Sequence, residues 1–178
     1  MSDWWADELH PDLSHGDVIE FVPIASLVAP LSPLRPAPVT KGGGRTWEPF
    51  QTELPGTSLI HFLARGNLFR VIVLSHDCEL DKDKSKKRVL VAPIAYIEQI
   101  PILLRDNLLA QRQRSKFPMV DVPGLGDVYA DLRSMNSVDR ALVASGKRLA
   151  TLSKLGRERL RAQVVDFLFH IADDAPAS

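Results

Sequence analysis

Phe69-Arg70-Val71-Ile72-Val73-Leu74 and Arg88-Val89-Leu90-Val91-Ala92-Pro93-Ile94 are the two stretches that decide the fold. Each is a short, nearly continuous run of β-branched and aliphatic residues, the pattern of a strand covered on both faces. Between them lies Ser75–Lys87, SHDCELDKDKSKK, which is too polar and charged to be buried and reads as a hairpin-type loop. Two greasy strands joined in this way are expected side by side in one sheet.

Upstream, Gly16-Asp17 gives a turn signal, and Val18–Val22 is rich enough in β-branched and aromatic residues to form a first strand. Residues 58–64, SLIHFLA, read as another strand, closed by the turn Arg65-Gly66-Asn67. Between these strands, residues 29–57 carry six prolines and the run Gly42-Gly43-Gly44. That composition argues against a regular helix or a central strand and predicts a long loop, with Trp47 and Phe50 as its large apolar anchors. Residues 1–15 are acidic and aromatic. Ser2 or Asp3 is placed to cap a short helix over Trp4–Leu9, ended by His10-Pro11, with Trp4 and Trp5 docking it on the body.

Downstream, Ile97–Gln113 is helical in character, with Pro101 suited to a first turn and Ile102, Leu104, Leu108 and Leu109 at roughly helical spacing. Asp127–Leu132 alternates, with Val128, Ala130 and Leu132 on one face, and Met135–Val138 reads as a short strand or turn. Ser153 is an N-cap for a helix over 153–172. There Leu160, Val164, Leu168 and Ile171 form one apolar stripe, which must pack on the strands to leave water.

The chain has 178 residues, 45% of them hydrophobic, enough for one domain over 1–178 with a sizeable core. A single cysteine excludes an intramolecular disulfide framework and a Cys-rich zinc site. No apolar run approaches the ~20 residues of a membrane helix, and the start, MSDWWADELH, has no basic region followed by an apolar stretch. The expectation is a soluble, cytoplasmic protein with no membrane partner. Its 22 basic and 22 acidic residues balance but are unevenly spread. Residues 1–80 hold ten acids and five bases, whereas 81–178 hold twelve acids and seventeen bases. Lys82–Arg88 and Arg112–Lys116 are the two basic clusters. They fit either an anion-binding face or a solvated surface.

Ser75-His76-Asp77-Cys78-Glu79 is the richest chemical patch, placed directly after a buried strand. In an extended segment His76 and Cys78 share a face, but the acids flanking the thiol disfavour its thiolate. His76, Cys78 and the distant His61 are zinc-type ligands, with Asp77 or Glu79 as a fourth, although no spacing motif joins them. The structural alternative makes Cys78 a small buried hydrophobe and lets Ser75 and Asp77 bond the turn backbone. His61 sits in an apolar run as a core residue, and His10 and His15 are expected in solvent. His170 lies near the C-terminus of the last helix, where a cation is favoured. Gly42-Gly43-Gly44-Arg45 lacks the phosphate-loop spacing and reads as linker.

The order of these motifs resembles the MazF/PemK family of bacterial toxins. Gly16-Asp17-Val18-Ile19 is similar to that family's opening strand, and Val71–Asp77 with Arg88–Ile94 to its two core strands. Tyr129–Val143, Gly146–Ser153 and the last helix are similar to its C-terminal third. The resemblance implies an α+β fold: a mainly β, small SH3-like barrel with a long proline-rich loop after its first strand, an inserted helix and a C-terminal helix. It further implies a metal-independent endoribonuclease without cofactor, acting on RNA, neutralised by a small antitoxin-like protein, and homodimeric. Carried onto this sequence, His76 or Asp77 is the base and Arg45 or Arg70 the cation, while Lys86, Lys87 and Arg88 meet phosphates. The chain departs from the family at three places. The family's Arg-Pro pair is represented by Arg70 one place late and without the proline. Ala95 stands where a Ser or Thr is usual, and the first loop is much longer. These departures motivate the alternative of a catalytically inactive barrel that binds a protein through the proline-rich loop. A third alternative is a Cys78- or metal-dependent hydrolase.

Overall fold

In a computed structural model, the structure describes residues 4–26, 33–36, 47–49, 61–62, 65–76, 80 and 88–169. The chain divides into two compact units, one of residues 1–23 with 68–178 and the other of residues 24–67.

The larger unit is built on a curled, half-barrel antiparallel sheet of seven strands. Its strands are β1 (Asp17–Ser26), β5 (Arg65–Val73), β6 (Arg88–Tyr96), β7 (Lys116–Val122), β8 (Gly126–Asp131), β9 (Asn136–Asp139) and β10 (Lys147–Thr151). The order is β10-β1-β5-β6-β8-β7, with β9 also paired to β6. The two decisive stretches are neighbours, as expected: Val71 pairs Pro93, Ile72 pairs Ala92 and Val73 pairs Val91. Val71, Ile72, Val73, Val91 and Ala92 are wholly buried, which explains why neither run alternates. On its other edge β6 changes partner. Arg88–Val91 pair with β9 and Ile94–Tyr96 with β8. Pro93 falls between those two ladders, at a place where the strand turns a corner and a missing N–H is tolerated.

Gly16 and Asp17 tie this sheet together at β1. Gly16 has φ +85, and a Cβ there would lie 3.0 Å from Leu152 Cβ and 3.1 Å from Arg157 Cγ. Only glycine fits both the conformation and the approach. The Asp17 carboxylate is fully buried. It accepts from the Ser14 amide at 2.8 Å and from the Thr151 hydroxyl, and meets Arg148 Nε at 3.2 Å. A buried carboxylate survives only with such partners.

Helices with both ends among the described residues are α1 (Ile102–Leu109), α2 (Arg140–Ala144) and α3 (Lys154–Phe169). The region read as one helix over Ile97–Gln113 is a 3-10 turn at Ile97–Gln99 followed by α1, with Pro101 just before its first residue. Its expected apolar face is corrected: Leu108 is buried, but Ile102 is 72% and Leu104 and Leu109 each 45% exposed. The C-terminal helix is capped as expected, the Gly156 amide donating to Ser153 Oγ at 3.2 Å. Its packed stripe, however, is Gly156, Leu160, Val164 and Phe167. Leu160 and Val164 are on the packed face as expected, but Leu168 is 49% exposed and Phe167 takes its place, while Ile171 lies outside the described residues.

The N-terminal segment docks through its tryptophans, but Trp4–Leu9 is not helical. Trp5 bridges Leu152, and Trp5 Nε1 donates to the Val120 carbonyl at 2.9 Å. The Trp4 ring lies 5.7 Å from Phe117 and 4.9 Å from the Arg159 guanidinium. His15, expected in solvent, is buried, with Nδ1 3.1 Å from the Leu74 carbonyl oxygen.

The smaller unit corrects the loop reading of residues 29–57. It contains a three-stranded sheet of β2 (Pro33–Pro36), β3 (Trp47–Pro49) and β4 (His61–Phe62), with β2 in the middle. Leu34 pairs both Pro49 and His61. Prolines sit at the two ends of β2, so the residues between them keep the N–H groups a ladder needs.

Candidate functional site

Three adjacent strands place three polar side chains together within the larger unit. β1 brings Glu20, β5 brings Arg70 and β6 brings Tyr96. Arg70 Nε donates to Glu20 Oε1 at 2.8 Å, and Nη2 lies 2.7 Å from the same oxygen. Nη1 donates to the Tyr96 hydroxyl at 2.9 Å, and the guanidinium carbon lies 5.7 Å from the centre of that ring. Arg70 lies two residues from Ile72, on the same strand face. It therefore continues an apolar core face with a charge, and Glu20 and Tyr96 supply its partners.

This cluster borders a recess of about 380 Å³, also lined by Phe21, Leu68, Ala95 and Gln99. Phe21 is 57% exposed and has φ +67. A bulky residue in the left-handed region is a costly conformation, commonly kept where a side chain must be aimed. The ladder of β1 on β10 slips between Val18 and Ile19. Such a bulge re-aims the side chains that follow it.

The recess offers definite chemistry. A guanidinium has five N–H donors, and three of those of Arg70 are engaged, leaving two for a bound anion. Its side chain is 36% exposed, against 13% for Glu20. Phe21 and Tyr96 offer aromatic faces, and Gln99 offers an amide that can both donate and accept. A carboxylate beside an arginine also forms the pair used in metal-independent phosphodiester transesterification. The carboxylate takes the hydroxyl proton and the cation offsets the charge that develops on phosphorus.

The other sequence-derived candidates are dispersed. His76 lies beyond the end of β5, with Nε2 hydrogen-bonded to the Arg161 guanidinium of α3 and its ring 6.3 Å from that of His15. Arg70 and Val73 are about 10 Å apart along the strand, so His76, beyond Val73, and Arg70 occupy different surroundings. Ser75 Oγ accepts from the Leu90 amide at 2.9 Å, which joins the ends of the two core strands. Arg88 is exposed, but its Nε donates to Ser137 Oγ at 2.9 Å and its Nη2 to the Ser137 carbonyl. Arg45, Asp77, Cys78, Glu79, Lys86, Lys87 and His170 lie outside the described residues, as does the side chain of His61. Among the described residues no cluster of three or more His, Cys, Asp or Glu side chains could hold a metal ion, and no helix is long and apolar enough to cross a membrane.

Glu20, Phe21, Tyr96 and Gln99 are absent from the sequence-derived set. One signal for the first was available: Glu20 in VIEFV and Arg70 in FRVIV are lone opposite charges inside two apolar strands. Strands carrying such charges have reason to pair. Nothing in the sequence marks the conformation of Phe21.

No protein-family model matches the chain, and no curated protein matches it significantly.

Proposed function

We propose that this chain binds single-stranded RNA in the recess of Arg70, Phe21 and Tyr96, on a MazF/PemK-like, SH3-like barrel. The carrying observation is an exposed Phe21 held at φ +67 beside an arginine with two uncommitted N–H donors. Unstacked bases are recognised by stacking on aromatic rings and arginine planes, with the base edge read by hydrogen bonds. Phe21 and Tyr96 are the stacking faces, Gln99 reads an edge, and Arg70 meets the adjoining phosphate. Strand scission belongs to the same recess, with Glu20 as proton acceptor and Arg70 as the stabilising cation. This replaces the sequence-derived pairing of His76 with an arginine.

The test is fluorescence anisotropy of a labelled single-stranded RNA, read alongside RNA integrity after induced expression. Phe21→Asn tolerates the left-handed backbone and removes the ring, so affinity should fall about tenfold. Glu20→Gln should keep binding and abolish fragmentation. Undiminished affinity in Phe21→Asn, or no RNA binding by the wild type, defeats the reading.

One observation favours a second reading, in which the barrel is an inactive interaction module for a small antitoxin-like protein or a second copy of the chain. Ile102 and Leu103, successive residues of α1, are 72% and 86% exposed, and exposed apolar surface of this kind marks association sites. Under that reading the wild type binds no RNA, and Leu103→Ser abolishes complex or dimer formation.

A further inference from the structure

The second basic cluster, Arg112-Gln113-Arg114-Ser115-Lys116, has no role in the recess of Arg70. Arg112, Gln113, Arg114 and Ser115, with Arg133, border a separate, polar depression of about 500 Å³. Arg112 and Arg133 are exposed, and neither guanidinium has an acidic partner among the described residues. Arg114 Nε lies 3.2 Å from Asp166 in an exposed pair, which contributes little to stability. Asp131, the other nearby acid, accepts from the Arg133 amide at 3.0 Å and from the Ser134 hydroxyl at 3.2 Å. Three arginines therefore border the depression and only Arg114 has a carboxylate partner among the described residues, leaving a local positive excess.

The segment is also held in place from behind. Gln163 Nε2, on α3, lies 2.7 Å from the Lys116 carbonyl oxygen and 3.1 and 3.2 Å from those of Gln113 and Arg114, which share its two N–H donors. The Ser115 carbonyl accepts from the Leu132 amide at 2.9 Å. The backbone of the segment is thus anchored from α3 and from the end of β8. Fixing the backbone in this way lowers the ordering cost of a contact made by the side chains.

We infer that this depression is a second phosphate-contact site, at which Arg112 and Arg133 grip the backbone of the RNA strand, with Gln163 as the positioning residue. The inference rests on the RNA-binding reading and extends its footprint. Strand β6, which lines the recess, and strand β7, which follows the arginine cluster, are separated in the sheet by β8. Ile94, which lines the recess, pairs Ala130, and Ala130 pairs Phe117, next to Lys116. Two such pairings span about 10 Å of sheet.

The salt dependence of binding tests the site, using the labelled single-stranded RNA between about 50 and 200 mM salt. Each phosphate contact on a single strand adds about 0.7 to the slope of log affinity against log salt. The double variant Arg112→Ala/Arg133→Ala should lower that slope by about 1.4 and weaken binding at least about tenfold at low salt. Arg112→Lys/Arg133→Lys should retain the slope, because the charge survives. Gln163→Ala should weaken binding with the slope unchanged, since it removes positioning and no charge. An unchanged slope and affinity in the double alanine variant overturns the second site while the recess reading stands. Absence of binding by the wild type at low salt overturns both.

Discussion

At the scale of single residues, Gly16 and Asp17 have roles that can be tested directly. The close approach and the positive φ at Gly16 make Gly16→Ala destabilising by about 1–3 kcal/mol. Asp17→Ala leaves Arg148, Ser14 and Thr151 without their common acceptor and should cost about 3 kcal/mol. Urea titration of each variant against wild type measures both losses. A pH prediction attaches to Tyr129. Burial, and secondarily the Asp131 carboxylate, raises its pKa above the ordinary 10.0. A raised folded pKa means the unfolded chain releases the phenolic proton first as pH climbs. Stability is therefore complete below pH 10.0 and falls as pH rises through the folded value. Tyr129→Phe should flatten that alkaline loss, as followed by circular dichroism melts across the range. The sequence exposed the Gly16-Asp17 turn because its signal is local. It did not expose the burial of His15, because the Leu74 carbonyl that holds it lies 59 residues away.

Elements are legible in sequence where their pattern is set by what they pack on. The two core strands read correctly because each is covered on both faces. The face of α3 read correctly at Leu160 and Val164 but not at Leu168, because leucine spacing reports hydrophobicity and not contact. Gly156 packs so closely on the Trp4 carbonyl that a Cβ would approach to 2.8 Å, and that contact sets the rotation of the helix. The consequence is a graded series. Leu160→Ala should cost about 2–5 kcal/mol, Ser153→Ala about 1 kcal/mol through loss of the cap, and Leu168→Ala no more than about 0.5 kcal/mol. Chemical denaturation of the three variants orders them. A loss at Leu168 equal to that at Leu160 would restore the register inferred from spacing. The face of α1 misled for a related reason. Of its four expected apolar positions only Leu108 finds the core, where it joins Ile97 and Ile100.

For the whole molecule, the half-barrel was readable and the division of the chain was not. Six prolines in residues 29–57 signal interruption. Pro33, Pro36 and Pro49 stand at strand ends, where the pairing of Leu34 and Arg35 does not need their N–H groups. The consequence can be tested by removing the segment. Among the described residues, the principal core cluster draws its buried members from the larger unit. Strands β1 and β5, between which the smaller unit is inserted in the chain, are neighbours in the sheet. Replacing residues 26–65 with a short glycine-containing link should therefore leave the larger unit folded. Shortening a connection is mildly favourable, by about 0.6 kcal/mol for each halving of its length. Any loss of contacts from the smaller unit is set against that gain, so the net stability change should stay within about 2 kcal/mol. Cooperative unfolding with a near-native denaturant midpoint is the expected result. If RNA binding persists in this shortened chain, the recess and the arginine depression suffice for it. A chain that fails to fold would show that the smaller unit belongs to the same cooperative structure as the sheet.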